Sequence, residues 1–152
     1  MENMNFVAID VETMTAERTS ICAIGLVKVV NSIISQKFYS LIKPIPDYRS
    51  TNNSWVNGIT PDMVVNSPTI ADVWPIIQRW CTDVELVSHN NSFDINALDQ
   101  CMEYYGLNDI PYSNTVDTLL LTGRSLDEAC EEKSIKMECH HDALSDATCC
   151  VS

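Results

Sequence analysis

The chain has 152 residues, of which 45% are hydrophobic and 20% are charged. This composition is typical of one soluble globular domain and excludes a largely disordered chain. Nine basic residues stand against 21 acidic ones, giving a net charge of −12, so broad binding along a nucleic-acid duplex is not expected. A short nucleic-acid end can still be bound locally where divalent cations neutralise acidic groups.

The termini and the cysteines indicate the compartment. No apolar run reaches the roughly 18 residues that cross a bilayer, and MENMNF is not the start of a signal peptide. We therefore expect a cytoplasmic protein without membrane contact, whose seven cysteines are reduced thiols. The histidines and cysteines at the C-terminal end invite comparison with a zinc site, but no C-x-x-C pair is present. These residues are Cys139, His140, His141, Cys149 and Cys150.

The first 43 residues predict three strands. They are Phe6–Val11, Ser20–Val30 and Gln36–Lys43, separated by turn-forming residues. Asn31 and Ser32 predict the turn between the second and third strands. The short connections favour an antiparallel arrangement.

Helical spacing dominates from about Ser54. The segment SPTIADVWPIIQRWC predicts a helix with Ser67 as its cap and a kink or restart at Pro75. A strand over Val84–Ser88 is then expected to lead into a helix from about Ser92 to Tyr105.

Three further elements are predicted towards the C-terminus. NTVDTLLL predicts a short strand or a helix start, and helices are expected in SLDEACEEK and in HDALSDATCC. Strands followed by alternating strands and helices favour an α/β fold with a mixed sheet. Because the last predicted helix has only about three turns, we expect either an unusually short helix or a fragment.

The first strand ends in two carboxylates, Asp10 and Glu12. Residues two apart on a strand share a face, so these side chains are expected roughly 7 Å apart. At an effective dielectric near 20 their repulsion is about 2 kcal/mol, which a cation, a shifted pKa or full solvation would relieve. Taken alone, the pair is explained by solvation.

Two later segments add ionisable groups. Asp94 lies in SHNNSFD at the start of a predicted helix, and His141 and Asp146 lie in HDALSD. Each has a structural explanation of its own: Asp94 can stabilise the helix dipole, and the other two can be solvated surface residues. The three segments together, in this order, indicate one acidic site more strongly than any one of them.

FVAIDVET, SHNNSFD and HDALSDA resemble, in order and spacing, the three motifs of the DnaQ-like 3′–5′ exonucleases. This is the DEDDh group, which includes the proofreading epsilon subunit of bacterial DNA polymerase III. The resemblance covers nearly the whole chain, and VNGITPDMV and TVDTLLL agree with it. It implies a single exonuclease domain over residues 1–152 with a ribonuclease H-like fold, in which a five-stranded mixed sheet has three antiparallel strands first.

The resemblance also assigns roles. Asp10, Glu12, Asp94 and Asp146 are then the ligands of two divalent cations, Mg²⁺ or Mn²⁺, and His141 is the general base. Asp10 would bridge the ions, Glu12 and Asp146 would bind the ion that activates water, and Asp94 would serve mainly the second ion. Four carboxylates match the charge of two such ions.

Substrate contacts follow from the same resemblance. The backbone amide of Thr13 and an apolar wedge from Met14 would hold the 3′-terminal nucleotide, with Asn90 and Phe93 against sugar and base. For Phe93, plain core packing is the alternative. The chain has Met14-Thr15 where many relatives have Thr-Gly, which leaves the approach of the substrate strand open.

The resulting hypothesis is a 3′–5′ exonuclease that acts on single-stranded nucleic acid, with DNA favoured, and releases nucleoside 5′-monophosphates. Polymerase proofreading is one setting for this activity, with a DNA polymerase subunit as partner. Two alternatives stay open: a weakly active or inactive binding module tethered to a polymerase, and an exoribonuclease. No residue decides between DNA and RNA, and the oligomeric state is not indicated.

Overall fold

The computed structural model describes residues 4–15, 17–44 and 58–117. The predicted helix start near Ser54 and every prediction beyond Asp117 lie outside the described residues, and these include His141 and Asp146.

A five-stranded mixed sheet forms the centre of the molecule. Its strands are β1 (Phe6–Thr13), β2 (Ile21–Val30), β3 (Ile33–Leu41), β4 (Glu85–Ser88) and β5 (Asn114–Asp117). The spatial order is β3-β2-β1-β4-β5. Antiparallel pairing joins β1 to β2 and β2 to β3, whereas β1 and β4, and β4 and β5, are parallel. The predicted α/β class and ribonuclease H-like sheet are confirmed.

The connection between β2 and β3 is shorter than the sequence predicted. Asn31 and Ser32 form its two-residue turn, both with positive φ (52° and 67°), a conformation that suits the twist of a hairpin. Pairing therefore resumes at once, with Val30 opposite Ile33. For this reason β3 begins at Ile33 and ends at Leu41, and the predicted span Gln36–Lys43 was wrong at both ends.

Three helices are described: α1 (Pro61–Val64), α2 (Ile70–Cys81) and α3 (Asn91–Tyr105). Thr69, and not the predicted Ser67, caps α2. The Thr69 side chain accepts a hydrogen bond from the Asp72 amide at 3.3 Å, and the Asp72 carboxylate accepts one from the Thr69 amide at 2.9 Å. This reciprocal pair satisfies two amides that the helix itself cannot. The helix continues through Pro75, so the predicted restart does not occur.

Both faces of β1 are buried. Val7, Ile9 and Val11 face the cluster formed with α2 and α3, while Phe6 and Ala8 pack on the other face. A strand enclosed in this way is held by packing on both sides. It therefore presents the residues at its carboxyl end from a fixed position.

The described cysteines are thiols that form no disulfide, as predicted. Cys22, Cys81 and Cys101 are all buried, and burial raises the pKa of each to about 12.

Within the described ranges, no helix is long and apolar enough to span a membrane.

Candidate active site

The end of β1 extends past its parallel neighbour. β1 pairs with β4 only over Phe6–Ala8, whereas its pairing with β2 continues to Thr13. Asp10 and Glu12 therefore lie beyond the end of β4, at the carboxyl edge of the parallel strands. Ligands of open α/β sheets commonly bind at this edge.

Asp94 reaches the same edge from α3. Its Oδ1 accepts a buried hydrogen bond of 2.9 Å from the amide of Val11. Val11 stands between Asp10 and Glu12 in the strand, so this bond brings the third carboxylate alongside the first two. The bond also gives a partner to an amide that lies where β4 has already ended.

The three carboxylates are partly or largely withdrawn from water. Asp94 is 3% exposed and Glu12 is 9% exposed, while Asp10 is half-buried with its Oδ2 atom fully covered. Asp10 lies opposite Gly25 across the pair with β2, and this glycine has no side chain to fill the space beside the carboxylate. Like charges held together with little water repel strongly.

The charge of Glu12 is felt by a neighbouring thiol. The pKa of Cys22 is raised by burial first and by the Glu12 charge second. The Cys22 thiol therefore holds its proton more tightly than an exposed thiol does. The donors available here are carboxylate oxygens, which suit Mg²⁺ and Mn²⁺.

The described residues hold only part of the predicted site. Among them no group of three or more His, Cys, Asp or Glu side chains is already arranged around a metal position. Asp10, Glu12 and Asp94 are brought to one edge, and the predicted His141 and Asp146 lie outside the described residues. The chemistry of the three described donors fits a divalent cation, and a complete coordination sphere needs further ligands.

The residues that follow Glu12 turn inward. Thr13 is 4% exposed and Met14 is fully buried, and Met14 packs in a small cluster with Cys22, Ala23, Ile59 and Val64. Met14 therefore has a packing role in this cluster, and its contact with a base stays a prediction. The pairing of β1 with β2 becomes irregular between Glu12 and Thr13, which directs the chain away from the sheet.

Hydrogen bonds close the loop from Met14 to Ser20. The Met14 amide donates to the Ser20 carbonyl at 2.8 Å. The amide and the hydroxyl of Thr15 both lie 3.1 Å from the Ser20 hydroxyl oxygen, and the Ser20 hydroxyl donates to the Glu17 carbonyl at 2.6 Å. The Thr15 hydroxyl thus takes part in fixing the loop, a network that the sequence pattern did not indicate.

Phe93 and Asn90 stand at the start of α3. The Asn90 carbonyl accepts hydrogen bonds from the amides of Phe93 (2.9 Å) and Asp94 (3.1 Å), which fixes the first turn. The Phe93 ring packs against the main core cluster, as the packing alternative predicted. It also contacts Arg18, whose Cζ lies 4.4 Å from the ring centroid, and sequence reasoning missed this arginine.

A cavity of about 360 Å³ lies elsewhere, between α2, α3 and the Pro111 segment. None of the predicted site residues lines it, so its size does not mark it as the active site. Its lining includes Trp74, Leu86, Ile95, Asp99, Asp109 and Tyr112.

Sequence comparison identifies the family. The family model RNase_T, described as Exonuclease, matches residues 7–152. The PolC-type DNA polymerase III of Lacticaseibacillus paracasei is 30% identical over 158 residues, covering 97% of this chain and 11% of that protein. The PolC-type DNA polymerase III of Oceanobacillus iheyensis is 33% identical over 156 residues, covering 93% of this chain and 10% of that protein. The chain thus spans about a tenth of the length of these relatives.

Solved structures share the fold. The nuclease domain of 3′hExo, a DEDDh family member bound to rAMP, superimposes with a TM-score of 0.79 at 16% identity, covering 98% of this chain and 88% of that one. Exonuclease X in complex with 5′ overhanging duplex DNA gives 0.70 at 22% identity, with 96% and 87% covered. Exonuclease I gives 0.79 at 15% identity, with 97% and 39% covered. With its family model, its curated relatives and this shared fold in agreement, the chain belongs to the exonuclease family of hydrolytic nucleases.

Proposed function

We propose that this chain is a metal-dependent 3′–5′ exonuclease of the DEDDh type that shortens single-stranded nucleic acid, with DNA favoured. One observation carries the proposal: the hydrogen bond from the Val11 amide to Asp94 gathers Asp94 beside Asp10 and Glu12. Three carboxylates at the open end of a rigid strand repel each other and lower the stability of the fold. Bound cations would offset this repulsion.

The proposed catalytic roles follow from the resemblance to the DEDDh exonucleases. Asp10, Glu12 and Asp94, with Asp146, would hold two divalent cations of Mg²⁺ or Mn²⁺ type. Such ions lower the pKa of bound water and stabilise the charge on the attacking and leaving oxygens. His141 would accept the proton of the attacking water, a task suited to a side chain that titrates near neutral pH.

The choice of substrate rests on related proteins. Exonuclease I has been captured with a dA16 oligonucleotide and exonuclease X with overhanging duplex DNA. Relatives of PolC type favour a polymerase as partner and proofreading as the setting. The net charge of −12 agrees with contact to a short strand end and opposes extended duplex binding.

An exoribonuclease is the second candidate. The 3′hExo domain, which shares the fold, carries rAMP, so a ribonucleotide product fits a site of this architecture. DNA and RNA oligonucleotides of one sequence, assayed side by side, separate the two candidates.

The test of the proposal is the release of nucleoside 5′-monophosphates from a single-stranded oligonucleotide, with Mg²⁺, with Mn²⁺ and with EDTA. We expect release with either cation, none with EDTA, and a loss of at least about 100-fold in Asp10→Ala, since that change removes a metal ligand. Glu103→Ala removes an exposed carboxylate of α3 and is the matched control. A chain that cleaves nothing with either cation is a binding module, and equal rates for Asp10→Ala and the intact chain refute the site.

A further inference from the structure

Arg18 lies beside the second motif of the site. Its Cζ is 4.4 Å from the centroid of the Phe93 ring, and Phe93 directly precedes Asp94, the residue that bonds to β1. The sequence places Arg18 in the loop that leaves β1 after Glu12. In a chain with 21 acidic residues, the fold therefore places a cation on the residue that precedes Asp94.

The loop holds this arginine from two sides. The bonds between Thr15, Glu17 and Ser20 close its base, and the Ser20 amide donates to the Glu17 carbonyl at 3.1 Å. On the other side, the Cys101 thiol lies 3.7 Å from the Thr19 carbonyl, which ties the loop to α3. Arg18 is thus carried by a segment fixed to both β1 and α3, which reduces the entropy that the side chain loses on binding a ligand.

The contact leaves the donors of the guanidinium available. The structure pairs Arg18 with the ring and, within the described part of the chain, with no carboxylate. A guanidinium group over an aromatic face is attracted by the charge distribution of the ring. This attraction uses none of its five N–H groups as hydrogen-bond donors. Those donors match the oxygens of a phosphate, which a guanidinium can bind in a bidentate way.

The negative charge of the site makes a positively charged side chain useful for binding a nucleic-acid strand. Asp10, Glu12 and Asp94 repel a polyanionic strand, and cations bound to them act only on the phosphate at the cut. A neighbouring phosphate of the strand needs a positive side chain of the protein. Arg18 is a described basic residue whose side chain contacts a motif residue of the site.

We infer that Arg18 is a substrate-binding residue: its guanidinium, seated on Phe93, binds a backbone phosphate of the strand whose 3′ end lies at the carboxylate edge. The inference rests on the proposed function for the identity of that strand. It differs from that function because it assigns a contact outside the metal ligands and predicts an effect on affinity rather than on chemistry.

The experiment compares the intact chain with Arg18→Gln, Arg18→Lys and the control Arg79→Gln, which removes an exposed arginine of α2. The affinity for a fluorescent single-stranded oligonucleotide is measured at several salt concentrations, with Ca²⁺ in place of Mg²⁺ to limit cleavage. We expect the Kd of Arg18→Gln to rise about tenfold and the log–log salt slope to fall by about 0.7, the value for one single-strand phosphate contact. Arg18→Lys keeps the charge but not the planar fork, so about a threefold rise is expected.

Kinetics with Mg²⁺ and thermal unfolding complete the test. Arg18→Gln should raise KM about tenfold with kcat changed less than about twofold, because the contact is made equally in the ground state and the transition state. A lower Tm for Arg18→Gln with an unchanged salt slope would mean that Arg18 only covers Phe93, and it would overturn the inference. The inference would also be overturned if the intact chain bound no oligonucleotide at low salt. Intact chain that binds but does not cleave refutes the proposed function, while the binding series still decides on Arg18.

Discussion

Asp94 has two tasks that a substitution can separate. Its Oδ1 accepts the Val11 amide, and its charge joins those of Asp10 and Glu12. The sequence motif predicted the second task and gave no sign of the first, because a contact between residues 83 positions apart depends on the folded chain. The same limit hid Arg18, whose position on Phe93 comes from the closed loop and not from any local pattern.

Asp94→Asn should lose activity by at least about 100-fold and keep the fold, because an amide oxygen can still accept the Val11 bond. Asp94→Ala should in addition lower the free energy of unfolding by about 1 to 3 kcal/mol, since it leaves a buried amide without its acceptor. Urea unfolding and nuclease assays on both variants check this. Equal stability of the two variants would show that the hydrogen bond contributes nothing to the fold.

Asp99 should make the protein less stable as the pH rises. Partial desolvation of the carboxyl group, and then the Asp109 charge, raise the pKa of Asp99 above its ordinary 3.8. The folded state therefore holds that proton more tightly than the unfolded state, and stability is lost as the pH rises from 3.8 through the raised value. Asp99→Asn should increase Tm at pH 7, and this gain should shrink towards pH 4.

Thermal unfolding across that pH range measures the effect, with Asp62→Asn, an exposed carboxylate of α1, as the charge-matched control. A gain from Asp99→Asn that does not depend on pH would contradict the assignment.

At the scale of elements, hydrophobic spacing predicted α2, α3 and the first four strands, and it left a short strand or a helix start open where β5 lies. The ends of several elements differ from the prediction. Capping decided α2, because Thr69 has Asp72 three residues later and Ser67 has no such partner. Turn geometry decided β3, since a two-residue turn lets pairing begin at Ile33. The first residue of α2 and of β3 therefore depends on which of several neighbouring residues forms the cap or the turn, and composition alone does not determine this.

The effect of Pro75 on the stability of α2 can be tested by substitution. It is exposed within α2, where proline lacks the amide for a helical hydrogen bond and crowds the preceding turn. Pro75→Ala should raise the free energy of unfolding by about 2 kcal/mol, the helix-propensity gain less the greater freedom of the unfolded chain. Pro68→Ala, in the loop before α2, should have the opposite sign, a loss of about 0.5 to 1 kcal/mol. Urea unfolding of both variants measures this, and an unchanged or lower stability for Pro75→Ala would contradict it.

For the whole molecule, the α/β class and a mixed sheet with three antiparallel strands first could be predicted, because the element order along the chain and the motif resemblance agreed. The candidate site is only partly located: Asp10, Glu12 and Asp94 share one edge, while His141 and Asp146 lie outside the described residues. The assignment of these residues as ligands and base stays a prediction. The burial of Met14 could not be predicted, because it depends on a cluster assembled from three separate segments.

Divalent cations should stabilise the molecule. Mg²⁺ or Mn²⁺ at about 100 times its Kd contributes about 2.7 kcal/mol, which corresponds to a rise in Tm of about 5 to 10 °C for a chain of this size. Asp10→Asn removes one repelling charge and one ligand, so it should raise Tm in EDTA and abolish most of the cation effect. Thermal unfolding with and without Mn²⁺ measures both. The same cation-induced rise in the variant and the intact chain would place the ions elsewhere.

The most direct measurement of the central claim is a time course on a single-stranded oligonucleotide labelled at its 5′ end, with Mn²⁺ present. The carboxylate edge of Asp10, Glu12 and Asp94 predicts a ladder that shortens by one nucleotide at a time from the 3′ end, absent with EDTA and at least about 100-fold slower in Asp10→Asn. Internal cuts, shortening from the 5′ end, or an equal rate in Asp10→Asn would contradict it.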